Sequence, residues 1–227
     1  LDLIKNPFAP SKVHQGVTTE VTGQDGESVA PLGGSGLDHA LQDFRRSYGF
    51  DCPYRTMDEF FTFLGARGSA QNIISFIGLG TLRAVHVGFD DRPATGDEMA
   101  AMRNAARAAI EQGCFGASTG LEYTPGSFAD QAELAALMEA IPQRGRLYAS
   151  HMRNEDNRVL DALAEAIAIA LILREAASGT VVYETRAVHE GVWTDNPAVF
   201  AAMFDAALSG FPTPPTGPRR IVLEIPR

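Results

Sequence analysis

Tyr148-Ala149-Ser150-His151-Met152-Arg153 is the stretch on which the reading of this chain turns. A short apolar run ends in a histidine and an arginine, and the polar Asn154, Glu155, Asp156 and Asn157 follow at once. In an α/β protein this pattern puts His151 at the carboxyl end of a strand, where open sheets and barrels keep their reactive groups. An imidazole there can hold a divalent metal, and a guanidinium two residues on can grip a carboxylate through two hydrogen bonds. Taken alone, the same residues also suit an ordinary strand-end histidine bonded to a neighbour. The surrounding chain has to decide.

Working outward, strand-like and helix-like segments alternate. Val17 to Thr22 is rich in β-branched residues between Gly16 and Gly23 and reads as a strand. A helix is expected over Leu37 to Tyr48. Another begins at Thr56, where Thr56-Met57-Asp58-Glu59 forms a capping box and Phe60, Phe61 and Leu64 continue an apolar face. Asn72 to Leu79 reads as a strand, with Gly80-Thr81-Leu82-Arg83 and His86 in the loop after it. Thr95 and Glu98 form a second capping box, Met99, Met102, Ala106 and Ile110 recur at helical spacing, and Gly113 ends the helix. Phe115 to Ser118 is a short strand, Ala129 to Ile141 a helix, Leu147 to Ser150 a strand, and Asn157 to Ala177 a long helix. These spacings suit βαβ units and a parallel sheet, and right-handed crossovers curl such units into a (β/α) barrel or part of one.

The end of the chain differs. Thr180 to Val188 can be a strand, Asn196 to Leu208 a helix and Ile221 to Ile225 a last strand, while Pro212 to Pro218 is a stiff linker that no element interior accommodates. The organisation expected is therefore a barrel part over 1–177 and a separate tail over 178–227, with the Pro-rich linker at 212–218.

Composition narrows the function. The 227 residues are 45% hydrophobic and 21% charged, as in an ordinary globular protein. A net charge of −9 and a pI near 5.0 argue against nucleic acid and anionic membrane as partners. Cys52 and Cys114 show no paired spacing, so reduced thiols in a cytoplasmic protein are expected. No apolar run reaches the roughly 18 residues that span a bilayer. Leu1-Asp2-Leu3-Ile4-Lys5 does not read as a signal peptide, and without a Met the start implies residues upstream.

Five blocks now come together in order: Gly16 to Gly23, Ser28-Val29-Ala30-Pro31, Asp91-Arg92-Pro93-Ala94-Thr95, Gly116 to Phe128 and Tyr148 to Glu155. From about Gln15 to about Ile169 this set resembles the N-acyl-D-amino-acid deacylase (D-aminoacylase) family of the amidohydrolase superfamily. The resemblance implies an incomplete, open TIM-like (β/α) barrel. It implies a metal-dependent hydrolase, with a divalent metal, zinc first among them, and an N-acyl-D-amino acid as small-molecule partner. Residue by residue, it makes His151 the strand-end metal ligand, Arg153 the grip on the substrate carboxylate and Tyr123 a substrate-binding tyrosine. Asp25 stands where family members often carry a metal-binding cysteine. A carboxylate is a workable substitute for a thiolate on zinc, although Gln24 and Glu27 suit a different register.

The resemblance also stops short. The superfamily's His-x-His on the opening strand has no counterpart, Ala170-Leu171-Ile172-Leu173-Arg174 stands where a second histidine-bearing strand is expected, and no block matches the water-activating aspartate. His14, His39, His86 and His189 lie outside the family blocks. Asp25 and His151 are two ligands, where catalytic zinc normally has three from protein. The expectation is a deacylase lacking its first and later strands, with weak turnover, an open sheet and self-association through the exposed face. The alternative is a non-catalytic remnant, a half-barrel that binds small molecules.

Overall fold

A computed structural model describes residues 2–141, 147–170, 173–174 and 181–183. The chain divides into two compact units, Leu1–His151 and Met152–Arg227. The first holds four parallel strands, β1 (Thr19–Thr22), β2 (Asn72–Gly78), β3 (Gly116–Gly120) and β4 (Leu147–His151), side by side in chain order. Two short helices precede them, α1 (Asp2–Lys5) and α2 (Pro10–Val13). Helices α3 (Leu37–Tyr48) and α4 (Met57–Arg67) join β1 to β2, α5 (Leu79–His86) and α6 (Gly96–Glu111) join β2 to β3, and α7 (Gln131–Ala140) joins β3 to β4. The sheet is a curled half-barrel, open among the described residues, with β1 and β4 at its edges. Val21 and Leu147, on those edge strands, are 42% and 57% exposed.

Register explains why the site collects at one end. Thr22 pairs with Ser75, Gly78 with Ser118, and Gly120 with His151. Parallel strands in step end together, so the loops after β1, β2 and β3 and the last residue of β4 share one rim. Partners across a parallel ladder share a face, and so do residues two apart along a strand. Ser118, Gly120, Ala149 and His151 therefore face the same way.

Both expected capping boxes form. In α4, Thr56 Oγ1 accepts from the Glu59 amide and Glu59 accepts from the Thr56 amide. In α6, Glu98 accepts from the Thr95 amide at 2.7 Å and is also gripped by Arg92 at 2.8 and 2.7 Å. The Arg92 bond is the main cause, with the Thr95 amide second, that holds the Glu98 carboxyl down from 4.5 to about 2. A depressed carboxyl contributes stability that is complete above its ordinary value and lost as the pH falls through the folded one. Glu98→Gln should thus melt below the parent at pH 7, with the gap closing between pH 4.5 and about 2. A constant gap across that window in thermal melts would show that Glu98 acts by shape alone.

Two sequence expectations are corrected. Leu79 to His86 is helix α5 rather than loop, with Leu79, Leu82 and Arg83 buried. Its apolar residues run on directly from those of β2, and a continuous apolar run conceals where one period gives way to the other. The helix after β4, α8, spans Val159–Ala170 and stops short of Ala177. Leu173–Arg174 (β5) instead pairs antiparallel with Val181–Tyr183 (β6) in the second unit. Ala170 to Leu173 is apolar on every side, so periodicity could not separate helix from strand there. The 177/178 boundary falls inside the second unit. The expected elements at Asn196 to Leu208 and Ile221 to Ile225, the linker 212–218 and His189 lie outside the described residues. Among the described residues no helix is long and apolar enough to cross a membrane.

Candidate metal centre

The site is built from the turn after β1. Gly23, Asp25 and Gly26 all have positive φ, at 76°, 56° and 73°. Asp is among the few residues other than glycine that tolerate this region. The turn is fastened from below. Ser118 Oγ donates to the Gly23 carbonyl at 2.5 Å and accepts from the Gly26 amide at 3.1 Å. The Gly26 carbonyl in turn accepts from the Thr81 amide of α5 at 3.0 Å. Two glycines let the backbone come this close. A Cβ at Gly120 would stand 2.0 Å from the Asp25 carbonyl oxygen, and one at Gly78 would stand 2.3 Å from that of Gly26.

The turn after β3 supplies the opposite wall. The Leu121 amide donates to the His151 carbonyl at 3.0 Å, and the Leu121 side chain is buried. That anchor leaves Glu122 and Tyr123 at the rim. Glu122 Oε2 lies 3.0 Å from His151 Nε2, and the Tyr123 hydroxyl lies 3.4 Å from the same nitrogen. The Tyr123 and His151 rings are tilted together at 4.7 Å. On the other side of the imidazole, Asp25 Oδ1 lies 3.7 Å from Nδ1. His151 is thus flanked by a carboxylate on each ring nitrogen.

A neutral imidazole offers one N–H and one lone pair. With the N–H turned to Glu122 at Nε2, the lone pair at Nδ1 faces Asp25, and a cation would fit between them. The donor set of one imidazole and two carboxylates fits a borderline or hard divalent ion. A carboxylate on the far nitrogen is the usual way in which a ligating histidine is oriented.

Of the residues expected from the sequence, Asp25, Tyr123 and His151 are brought together. Arg153 lies in the second unit, where its Nε and Nη2 donate to the two oxygens of Glu165, each at 2.9 Å. His39 pairs with Asp43 one turn on along α3, at 3.2 Å. His86 sits in the last turn of α5, and burial lowers its pKa. Cys52 and Cys114 are buried and form no disulfide. Glu122 and Ser118 were missed. Glu122 had a signal, since it is a carboxylate beside Tyr123 in a family block at a strand end. Ser118 had none, because its hydroxyl bonds to a turn some ninety residues away in sequence.

Beside the candidate metal centre lies a cleft of about 490 Å³ lined by Asp25, Glu27, Leu32, Val85, Phe89 and Tyr123 among others. Its volume is that of a small-molecule site. Asp25 and Tyr123 belong to both cleft and centre.

No protein-family model matches the chain. It is 36% identical over 169 residues to D-aminoacylase of Alcaligenes xylosoxydans xylosoxydans, covering 74% of this chain and 34% of that protein. It is 31% identical over 225 residues to the N-acyl-D-glutamate deacylase of the same organism, covering 94% and 44%. That alignment reaches beyond the Gln15–Ile169 stretch. Among solved structures, D-aminoacylase, described as defining a novel subset of amidohydrolases, superposes with a TM-score of 0.64 at 34% identity, over 74% of this chain and 35% of that one. The N-acyl-D-glutamate deacylase of Bordetella bronchiseptica, complexed with zinc and a phosphonate that mimics the tetrahedral intermediate, superposes with a TM-score of 0.64 at 32% identity, over 75% and 35%. The chain thus spans a third to under half of the length of these relatives. Within that span it is homologous to the N-acyl-D-amino-acid deacylases, the D-aminoacylase family of the amidohydrolase superfamily, as a partial match.

Proposed function

We propose that this chain carries the metal-binding and substrate-binding part of an amidohydrolase site of the N-acyl-D-amino-acid deacylase type. The reaction class is hydrolysis of an N-acyl amide bond to a carboxylate and a D-amino acid. The observation that carries the reading is the convergence of Asp25, Glu122 and Tyr123 on His151 beside an open cleft. Asp25 and His151 Nδ1 would hold the divalent ion, zinc in the first instance, while Glu122 accepts the hydrogen bond from Nε2–H and fixes the ring. Such an ion supplies Lewis acidity toward water and the amide carbonyl. Tyr123 offers a hydroxyl to the substrate at the cleft mouth. The family resemblance assigns the substrate carboxylate to Arg153, whose guanidinium is oriented within its own unit by Glu165. The acidic chain suits a small-molecule partner rather than nucleic acid, and two buried thiols without a disulfide suit the cytoplasm.

The test is zinc content together with hydrolysis of N-acetyl-D- and N-acetyl-L-amino acids. The expected result is zinc retained after gel filtration and turnover selective for the D form. Turnover should lie below the roughly 1–1000 per second of ordinary enzymes, because the ligands read among the described residues, Asp25 and His151, are one short of the usual three. Zinc retained without turnover would favour the alternative, a ligand-binding half-barrel. A chain that retains no zinc would sink the deacylase reading and leave the non-catalytic half-barrel.

A further inference from the structure

We infer that Ser118 is a positioning residue for the candidate metal centre, holding Asp25 against His151 by clamping both ends of the Gly23–Gly26 turn. The inference rests on the reading of Asp25 as a metal ligand. Ser118 is fully buried, at 0% exposure, in the middle of β3. It shares its sheet face with Gly120, and across the ladder with Ala149 and His151. A hydroxyl in that place has to be satisfied internally. It donates to the Gly23 carbonyl and accepts from the Gly26 amide, one contact on each side of Asp25.

The clamp matters because of what it holds. Three of the four residues from Gly23 to Gly26 have positive φ, two of them glycines with wide conformational freedom. The turn's own bond, from the Glu27 amide to the Gln24 carbonyl at 3.0 Å, spans Asp25 and Gly26 but does not include Gly23. The Thr81 amide fastens its far end, at the Gly26 carbonyl, and the absence of side chains at Gly78 and Gly120 lets the turn sit down on β2 and β3. Neither of these reaches Gly23. Ser118 alone among these groups ties the two ends to each other, and the Asp25 side chain leaves the turn between them. Loss of the hydroxyl should therefore let Asp25 drift from the 3.7 Å approach to Nδ1 while β3 itself stays paired.

Ser118→Ala, with Asp25→Ala and the double variant, tests this with zinc ion as probe. Chelator competition should show Ser118→Ala binding zinc about 10–100-fold more weakly, the usual size for a group that orients a ligand. In the Asp25→Ala background the same change should add no more than about twofold, since its effect runs through Asp25. Unchanged affinity in Ser118→Ala, or an equal loss in both backgrounds, overturns the assignment. Amide exchange supplies a readout that needs no metal. The Gly26 amide of the parent protein should be protected like a strand amide. In Ser118→Ala it should exchange at least about tenfold faster while the β2 and β3 amides hold. A Gly26 amide that exchanges like an open loop in the parent protein overturns the clamp even if the variant does not fold. If the parent binds no zinc, the metal reading fails, and the Gly26 exchange still decides whether Ser118 sets the turn.

Discussion

Arg83→Met should lower folding stability by about 3–5 kcal/mol, the cost of leaving a buried charge without its partner. Arg83, in α5, is 1% exposed, and the Glu133 side chain opposite it in α7 is 5% exposed. One guanidinium nitrogen meets both Glu133 oxygens, at 2.7 and 2.5 Å, and a second donates to the Arg92 carbonyl. Removing the cation leaves a carboxylate in an apolar layer with Leu79, Leu134 and Leu137 close by. Replacing both partners removes the stranded charge, so Arg83→Met with Glu133→Leu should recover most of the loss. Urea denaturation of the two variants decides it. A single-variant cost under about 1 kcal/mol would mean that water reaches Glu133 and that the pair behaves like a surface one.

That pair bears on the site through α5. The same helix that carries Arg83 carries Thr81, whose amide and hydroxyl hold Gly26 and Ser28 in the turn around Asp25. The helix was also the element least legible in the sequence. It follows β2 without a break, starting at Leu79 directly after Gly78, so that Leu79 reads as the end of the strand and Gly80 as the start of a loop. Where a capping box or a glycine stop marks the boundary, as at Thr56, Thr95 and Gly113, the helix could be placed from the sequence to within a residue or two. Capping is local chemistry and leaves a local signature.

The same contrast runs through the site. His151 was legible because a strand end is marked by the switch from apolar to polar residues around it. Asp25 and Tyr123 came from the family blocks rather than from spacing, and the structure shows why spacing alone would have failed. They meet only because β1, β3 and β4 run in register. Glu122 was overlooked beside Tyr123 because alternation along a turn gives no rule for which of two neighbours points inward. What decides it is Leu121, whose burial and hydrogen bond to His151 rotate the next two residues to the rim.

His151→Ala should weaken zinc binding by on the order of 100-fold or more, since a lost ligand costs at least as much as the 10–100-fold lost with an orienting partner. The side chain is 20% exposed, and its polar neighbours Asp25 and Glu122 are 61% and 50% exposed. Removing it therefore strands no buried charge, and the metal-free protein should melt near the parent. Zinc-induced stabilisation is the cleaner readout. At a metal concentration of 100 times the parent Kd it amounts to about 2.7 kcal/mol, and it should nearly vanish in the variant. The order of effects then identifies which nitrogen faces the ion. With zinc between Nδ1 and Asp25, Asp25→Ala should approach the His151→Ala loss, while Glu122→Gln stays within about 10–100-fold because it disturbs only ring orientation. The reverse order would put the ion on the Nε2 side with Glu122 as its ligand, making Asp25 the residue that holds the ring. Equal and small losses in all three variants would mean that the two carboxylates neutralise an imidazolium and hold no metal.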